Sequence, residues 1–92
     1  MEHGREVAER TLEILSEIAH DDEVRRDLDV PLFASGLLDS LAVVRLMVAF
    51  EEVFGLTISP AELDRERWAT PRFLIADIAS RLGEARSTRD GR

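Results

Sequence analysis

Ser40 is the residue of this chain best placed for covalent chemistry, and its surroundings limit which chemistry that is. It follows Gly36-Leu37-Leu38-Asp39 and opens an apolar run from Leu41 to Phe54 that Gly55 closes. Asp39 is a good N-cap, because its carboxylate can accept from backbone N–H groups left free in a first helical turn. Gly36 permits a positive φ in the preceding turn, and Gly55 can take the left-handed conformation that ends a helix. Ser40 therefore belongs at a helix mouth, where the positive end of the dipole faces anions.

A serine that attacks on its own account needs a base within hydrogen-bond reach and a group behind that base to orient it. The only histidines are His3, in the N-terminal stretch, and His20, where the first helix should end; no Gly-x-Ser-x-Gly elbow surrounds Ser40. No residue is assigned a catalytic role, and the chain is read as a non-enzyme. A serine that cannot activate itself can still be modified by another protein. On the residues alone, two readings of Ser40 stay open: a modified hydroxyl, or one that merely helps to cap its helix. No metal site is expected either. There is no cysteine, the two histidines form no zinc pattern, and Asp21-Asp22-Glu23 lacks calcium-loop spacing. A glycine-rich phosphate loop is also missing.

The helix that must hold Ser40 has two apolar faces. At about 100° per residue, Val43, Leu46, Met47, Phe50 and Phe54 fall on one side, the i, i+3, i+4, i+7 stripe of a core. Leu41, Val44 and Val48 fall on another, beside Arg45, Glu51 and Glu52. Either the helix is buried on most sides of a small bundle, or the second face is a docking strip with an apolar middle and a charged rim.

The other elements follow from periodicity and end signals. A first helix is predicted over about 5–19, with Val7, Thr11, Ile14, Leu15 and Ile18 inward and Glu6, Glu9, Glu13 and Glu17 as a solvated edge. Asp21 or Asp22 caps a short turn through Val24, and Val24, Leu28 and Val30 anchor a long connection that Pro31 interrupts. Leu32 and Phe33 plug one end of the bundle. Ser59-Pro60-Ala61-Glu62 reads as a capping box starting a short helix over about 60–66, with Leu63 inward. Trp68 is expected at the bundle edge, partly buried, with a partner for its N–H. Thr70-Pro71 starts a last helix whose apolar face is Phe73, Leu74, Ile75, Ile78, Ala79 and Leu82, with Gly83 as its C-terminal cap. The fold class is all-α, a small four-helix bundle of three main helices and one short one with a long first loop. Residues 1–83 form the domain and 84–92 a flexible polar tail.

Leu37-Leu38-Asp39-Ser40-Leu41 resembles the attachment motif of acyl and peptidyl carrier proteins, in which Asp-Ser-Leu opens the second helix. The resemblance spans roughly 7–82 and is nearest to the D-alanyl carrier proteins. It is carried by Leu32-Phe33, Gly36 to Ser40, Phe54-Gly55, Asp64-Arg65-Glu66-Arg67-Trp68 and Thr70-Pro71. The resemblance implies that a phosphopantetheinyl transferase moves 4′-phosphopantetheine from coenzyme A to Ser40. Asp39 and Leu41 would contact that enzyme and the cofactor's root. It also implies docking of partners through Leu41, Val44, Arg45, Val48, Glu51 and Glu52. Ala42 and Arg45 depart from the acidic pattern of fatty-acid carriers, which favours a dedicated partner set. That set would be an adenylating ligase that loads an amino acid and a downstream acyl or aminoacyl transferase. The chain is thus read as a stand-alone carrier of an aminoacyl, D-alanyl-like or acyl group held as a thioester. Teichoic-acid alanylation is the family's end use. A polyketide- or fatty-acid-type carrier in natural-product biosynthesis is the alternative. The alternative of another class is a helical adaptor that binds a partner non-covalently through the same strip.

Composition is consistent with that reading. The chain has 92 residues, 45% of them hydrophobic, enough for one domain with a modest core. Its net charge is −7, and every basic residue apart from the histidines is arginine. Such a surface disfavours nucleic acid and anionic lipid and steers basic protein partners. No apolar run approaches a membrane span and the N-terminus lacks a signal-type apolar core, so a cytoplasmic protein is expected. Without a coiled-coil seam, a monomer is expected.

Overall fold

The computed structural model describes residues 2–90, with side chains over 5–61 and 63–83. Four α-helices follow in order: α1 (Glu2–Ala19), α2 (Glu23–Arg26), α3 (Ser40–Phe54) and α4 (Pro71–Asp90). Two 3₁₀ turns, Pro60–Glu62 and Arg65–Trp68, lie between α3 and α4. No strand occurs among the described residues. None of their helices is long and apolar enough to cross a membrane.

The inward stripe of α1 packs on α3 and α4. Thr11 and Leu15 are fully buried, Val7, Ile14 and Ile18 are partly so, and Glu6, Glu9, Glu13 and Glu17 face solvent. The helix ends on His20, whose φ of 58° is left-handed, while the Asp21 N–H donates back to the Ser16 carbonyl at 3.2 Å. Asp21, rather than Asp22, caps α2 by accepting from the Glu23 N–H at 2.9 Å.

The long connection from α2 to α3 is stitched to the far side of the bundle. The Arg72 N–H donates to the Leu28 carbonyl, the Leu32 N–H to the Ala69 carbonyl and the Leu38 N–H to the Leu32 carbonyl. Outside, Arg72 forks onto both carboxylate oxygens of Asp29 at 2.9 and 3.2 Å. Val24 and Leu32 are fully buried, with Val30 and Leu38 nearly so. Backbone bonds and inward side chains thus fix where the connection delivers Asp39 and Ser40.

The structure differs from the sequence expectations at several places, the first between α3 and α4. The short helix expected over 60–66 is two separate 3₁₀ turns, and the short α-helix of the bundle is α2. In one continuous helix Leu63 and Trp68 would lie about 140° apart. Extended backbone at Leu63 and Asp64 lets Leu63 pack on the core and Trp68 enter it. The Ser59 side chain makes no capping bond; Asp64 caps the second turn instead, accepting from the Glu66 N–H at 2.9 Å.

Second, Trp68 is not at the edge but fully buried. It meets Phe50 edge-on with ring centroids 5.8 Å apart, and Phe50 stacks on Phe54. Its indole N–H does find a partner: Asp77 Oδ2, at 2.8 Å. Asp77 is itself buried and also accepts from Arg81 Nε at 2.9 Å and Arg67 Nη1 at 3.4 Å. Burial pushes its carboxyl upward, but the bonds from Trp68, Arg81 and Arg67 outweigh that, so its pKa lies below the usual carboxylate value.

Third, α4 does not stop at Gly83. Thr70 Oγ1 caps its start through the Phe73 N–H, and the helix runs on to Asp90 without a positive φ at Gly83. A mid-helix glycine costs only about 1 kcal/mol, and Glu84-Ala85-Arg86 are strong helix formers. Of the expected tail, Gly91 and Arg92 lie outside the described residues. On α4, Leu74 and Ile78 are buried but Phe73 and Ala79 face solvent. Phe73 lies about 100° around the helix from Leu74 and so off the buried stripe.

Candidate functional site

The end of α3 is built as its sequence requires. Gly36 takes φ 86°, and Leu38 turns inward, which directs the next two residues outward. Asp39 is extended, and its Oδ1 accepts from the Ala42 N–H at 2.8 Å. Its carbonyl accepts from the Val43 N–H at 3.0 Å. Ser40 is the first residue of the helix and is exposed. At the other end Gly55, with φ 71°, donates to the Glu51 carbonyl at 2.9 Å.

The two faces of α3 separate as their spacing suggests. Val43, Leu46 and Phe50 are buried, with Met47 and Phe54 packed partly against them. Leu41, Val44 and Val48 are 60, 54 and 50% exposed, which excludes burial on most sides. Arg45, Glu51 and Glu52 are also exposed, and among the described residues Arg45 forms no ion pair with either glutamate. The outward face of α3 therefore carries three exposed apolar side chains beside Arg45, Glu51 and Glu52.

His20, at the end of α1, borders a shallow groove with Leu37, Asp39, Leu41 and Arg45. No hydrogen bond joins it to Ser40 among the described residues, and the side chain of His3 lies outside them. The recorded polar partner of Ser40 is Arg65: Nη2 donates to Ser40 Oγ at 3.4 Å. The Arg65 guanidinium carbon lies 5.0 Å from the centre of the Phe33 ring. Arg65 and Phe33 carry no local sequence signal that ties them to Ser40. They lie 25 positions after and seven before it, beyond any local periodicity.

This arrangement suits a hydroxyl that another protein modifies. It is exposed on an anchored helix end, has no hydrogen bond to a histidine among the described residues, and faces both a helix N-terminus and a guanidinium. An anionic group on Oγ would be favoured there.

Comparison with known proteins gives the same answer. Residues 9–78 match the family model described as the phosphopantetheine attachment site. The D-alanyl carrier proteins of Bacillus cereus (strain B4264) and Bacillus anthracis (strain CDC 684) are similar to this chain. Each is 46% identical over 73 residues, 79% of this chain and 92% of the relative. The chain belongs to the phosphopantetheine-attachment family of carrier proteins. Its cofactor is covalent 4′-phosphopantetheine, and its role is that of a non-catalytic carrier modified by a separate transferase.

Proposed function

We propose that Ser40 bears the phosphopantetheine arm and that the chain works as a stand-alone carrier of an aminoacyl group, D-alanyl-like in its chemistry. The arm supplies a terminal thiol, absent from a chain without cysteine, that holds the cargo as a thioester. This chain's own residues place the arm and present it to partners. Asp39 fixes the helix start, Leu38 orients the turn, and the dipole of α3 favours the phosphodiester. Leu41, Val44 and Val48 present an apolar strip to partners, with Arg45, Glu51 and Glu52 setting its charge pattern. Arg45 is the feature that favours a dedicated adenylating ligase over fatty-acid enzymes. A cytoplasmic monomer serving cell-wall alanylation or a natural-product pathway belongs to this reading, with residues 1–83 as the carrier domain and 84–92 as a polar tail.

The observation that carries the proposal is the exposed Ser40 hydroxyl at the capped start of α3, inside the matched region. The test is intact-protein mass after incubation with coenzyme A and a broad-specificity phosphopantetheinyl transferase, with Ser40→Ala in parallel. One phosphopantetheine should add to the wild type alone. Loading of that product with D-alanine by an ATP-dependent ligase, against a panel of other amino and carboxylic acids, then identifies the cargo. No gain on the wild type, with a control carrier fully loaded, favours the non-covalent adaptor.

A further inference from the structure

We propose that Arg65 is a binding residue for the phosphodiester at the root of the arm, a role resting on attachment at Ser40. The contact already exists in embryo: Arg65 Nη2 lies 3.4 Å from Ser40 Oγ, the atom that becomes the bridging ester oxygen. When Oγ bonds to the pantetheine-side phosphorus of coenzyme A, the pyrophosphate P–O bond breaks, adenosine 3′,5′-bisphosphate leaves and the hydroxyl proton is released; two non-bridging oxygens sharing one negative charge then lie two bonds from Oγ. A neutral hydroxyl at 3.4 Å is a weak partner for a guanidinium, whereas a phosphodiester is a strong one, open to two parallel N–H donors.

Arg65 is free to make that exchange. Arg67 and Arg81 are committed to Asp77, and Arg72 to Asp29. Among the described residues Arg65 has no carboxylate partner. What holds it is the Phe33 ring, 5.0 Å from Cζ, a contact that leaves the in-plane N–H donors available. Both supports are anchored. Phe33 follows Leu32, fully buried and bonded through its N–H to Ala69; Arg65 opens the turn that ends in buried Trp68. In a chain of net charge −7, this places a cation where the modified protein gains an anion.

The test uses apo and holo protein, with wild type, Arg65→Gln and Arg65→Lys, each checked by mass and by circular dichroism. The first readout is the Arg65 Nε–Hε resonance in wild type, which should move on attachment of the arm. The second is the phosphorus resonance of holo protein, which should differ between wild type and R65Q, with R65K between them. The third is urea unfolding as a cycle of arm against side chain. The arm should shift the wild-type unfolding equilibrium toward the fold by about two- to fivefold more than it shifts that of R65Q, the range of exposed charge pairs. A mass gain with an unmoved Arg65 resonance and no difference in the cycle overturns this role and leaves attachment standing. Absence of any mass gain overturns both. Should R65Q be refused by the transferase, the wild-type apo-to-holo comparison decides alone.

Discussion

Asp77→Asn should weaken the fold far more than an ordinary surface change. The Asp77 carboxylate is buried and accepts three donors, from Trp68, Arg81 and Arg67. An amide of the same shape keeps one acceptor oxygen and turns N–H donors toward the others. Either the buried indole N–H or the Arg81 guanidinium then loses its acceptor. A buried donor left unsatisfied costs about 1–3 kcal/mol. Breaking a well-buried ion pair costs up to about 3–5 kcal/mol, but Arg81 keeps 19% of its side-chain surface in water and has another partner. A loss of about 2–3 kcal/mol follows, against a total of about 5–15 kcal/mol for a domain, with Tm falling by roughly 8–24 °C. Trp68, the single tryptophan, reports urea unfolding directly. The pH dependence is a second check. The folded pKa of Asp77 is lowered, so its stabilisation is complete above the unfolded value of about 4 and fades as pH falls through the folded pKa. The gap between wild type and D77N should be full at pH 7 and narrow below about pH 4. A loss under about 0.5 kcal/mol at pH 7, or a gap that widens in acid, would refute the role given to this carboxylate.

Three further outcomes are expected. Thr11→Val should stabilise the fold by about 1 kcal/mol in urea melts, because Thr11 Oγ1 is buried without a hydrogen-bond partner among the described residues; a loss of stability would show that the hydroxyl has one. His20→Gly should stabilise by up to about 1 kcal/mol, since glycine takes φ 58° without the penalty a side chain incurs, and an unchanged Tm would count against strain there. Val44→Asp should leave the unfolding midpoint within about 0.5 kcal/mol of wild type, as the site is half exposed, while lowering kcat/KM for arm transfer or cargo loading at least several-fold. Unchanged kinetics with both partner enzymes would remove Val44 from the docking strip.

The elements around Ser40 were legible before any coordinates because their signals are local. Asp39 as cap, Gly36 and Gly55 with positive φ, and the core stripe of α3 each depend on residues within one or two turns. The same holds for α1 and for the Thr70 start of α4. Local signals also misled where packing competes with them. Ser59 to Glu62 has the composition of a capping box, yet the need to turn both Leu63 and Trp68 inward breaks the segment into two 3₁₀ turns. Phe73 is apolar but lies off the buried side of its helix, and Gly83 lies inside α4 because nothing there requires a left-handed turn.

By itself the sequence determined the helical class, the capped start of α3 at Ser40, the inward and outward faces of that helix, and a chain without a thiol of its own. Only the tertiary structure decided which distant side chains meet. Asp77, a charged residue that composition assigns to the surface, became the buried acceptor of Trp68 because three donors from two elements converge on it. Arg65, lying over the Phe33 ring, reached Ser40 because the long connection is bonded to the start of α4, which brings the second 3₁₀ turn beside the mouth of α3. Caps and periodicity act over a few residues and can be read along the chain. Pairings across 9 to 43 positions arise when the apolar core closes, and which polar groups it draws together is fixed by how those elements pack.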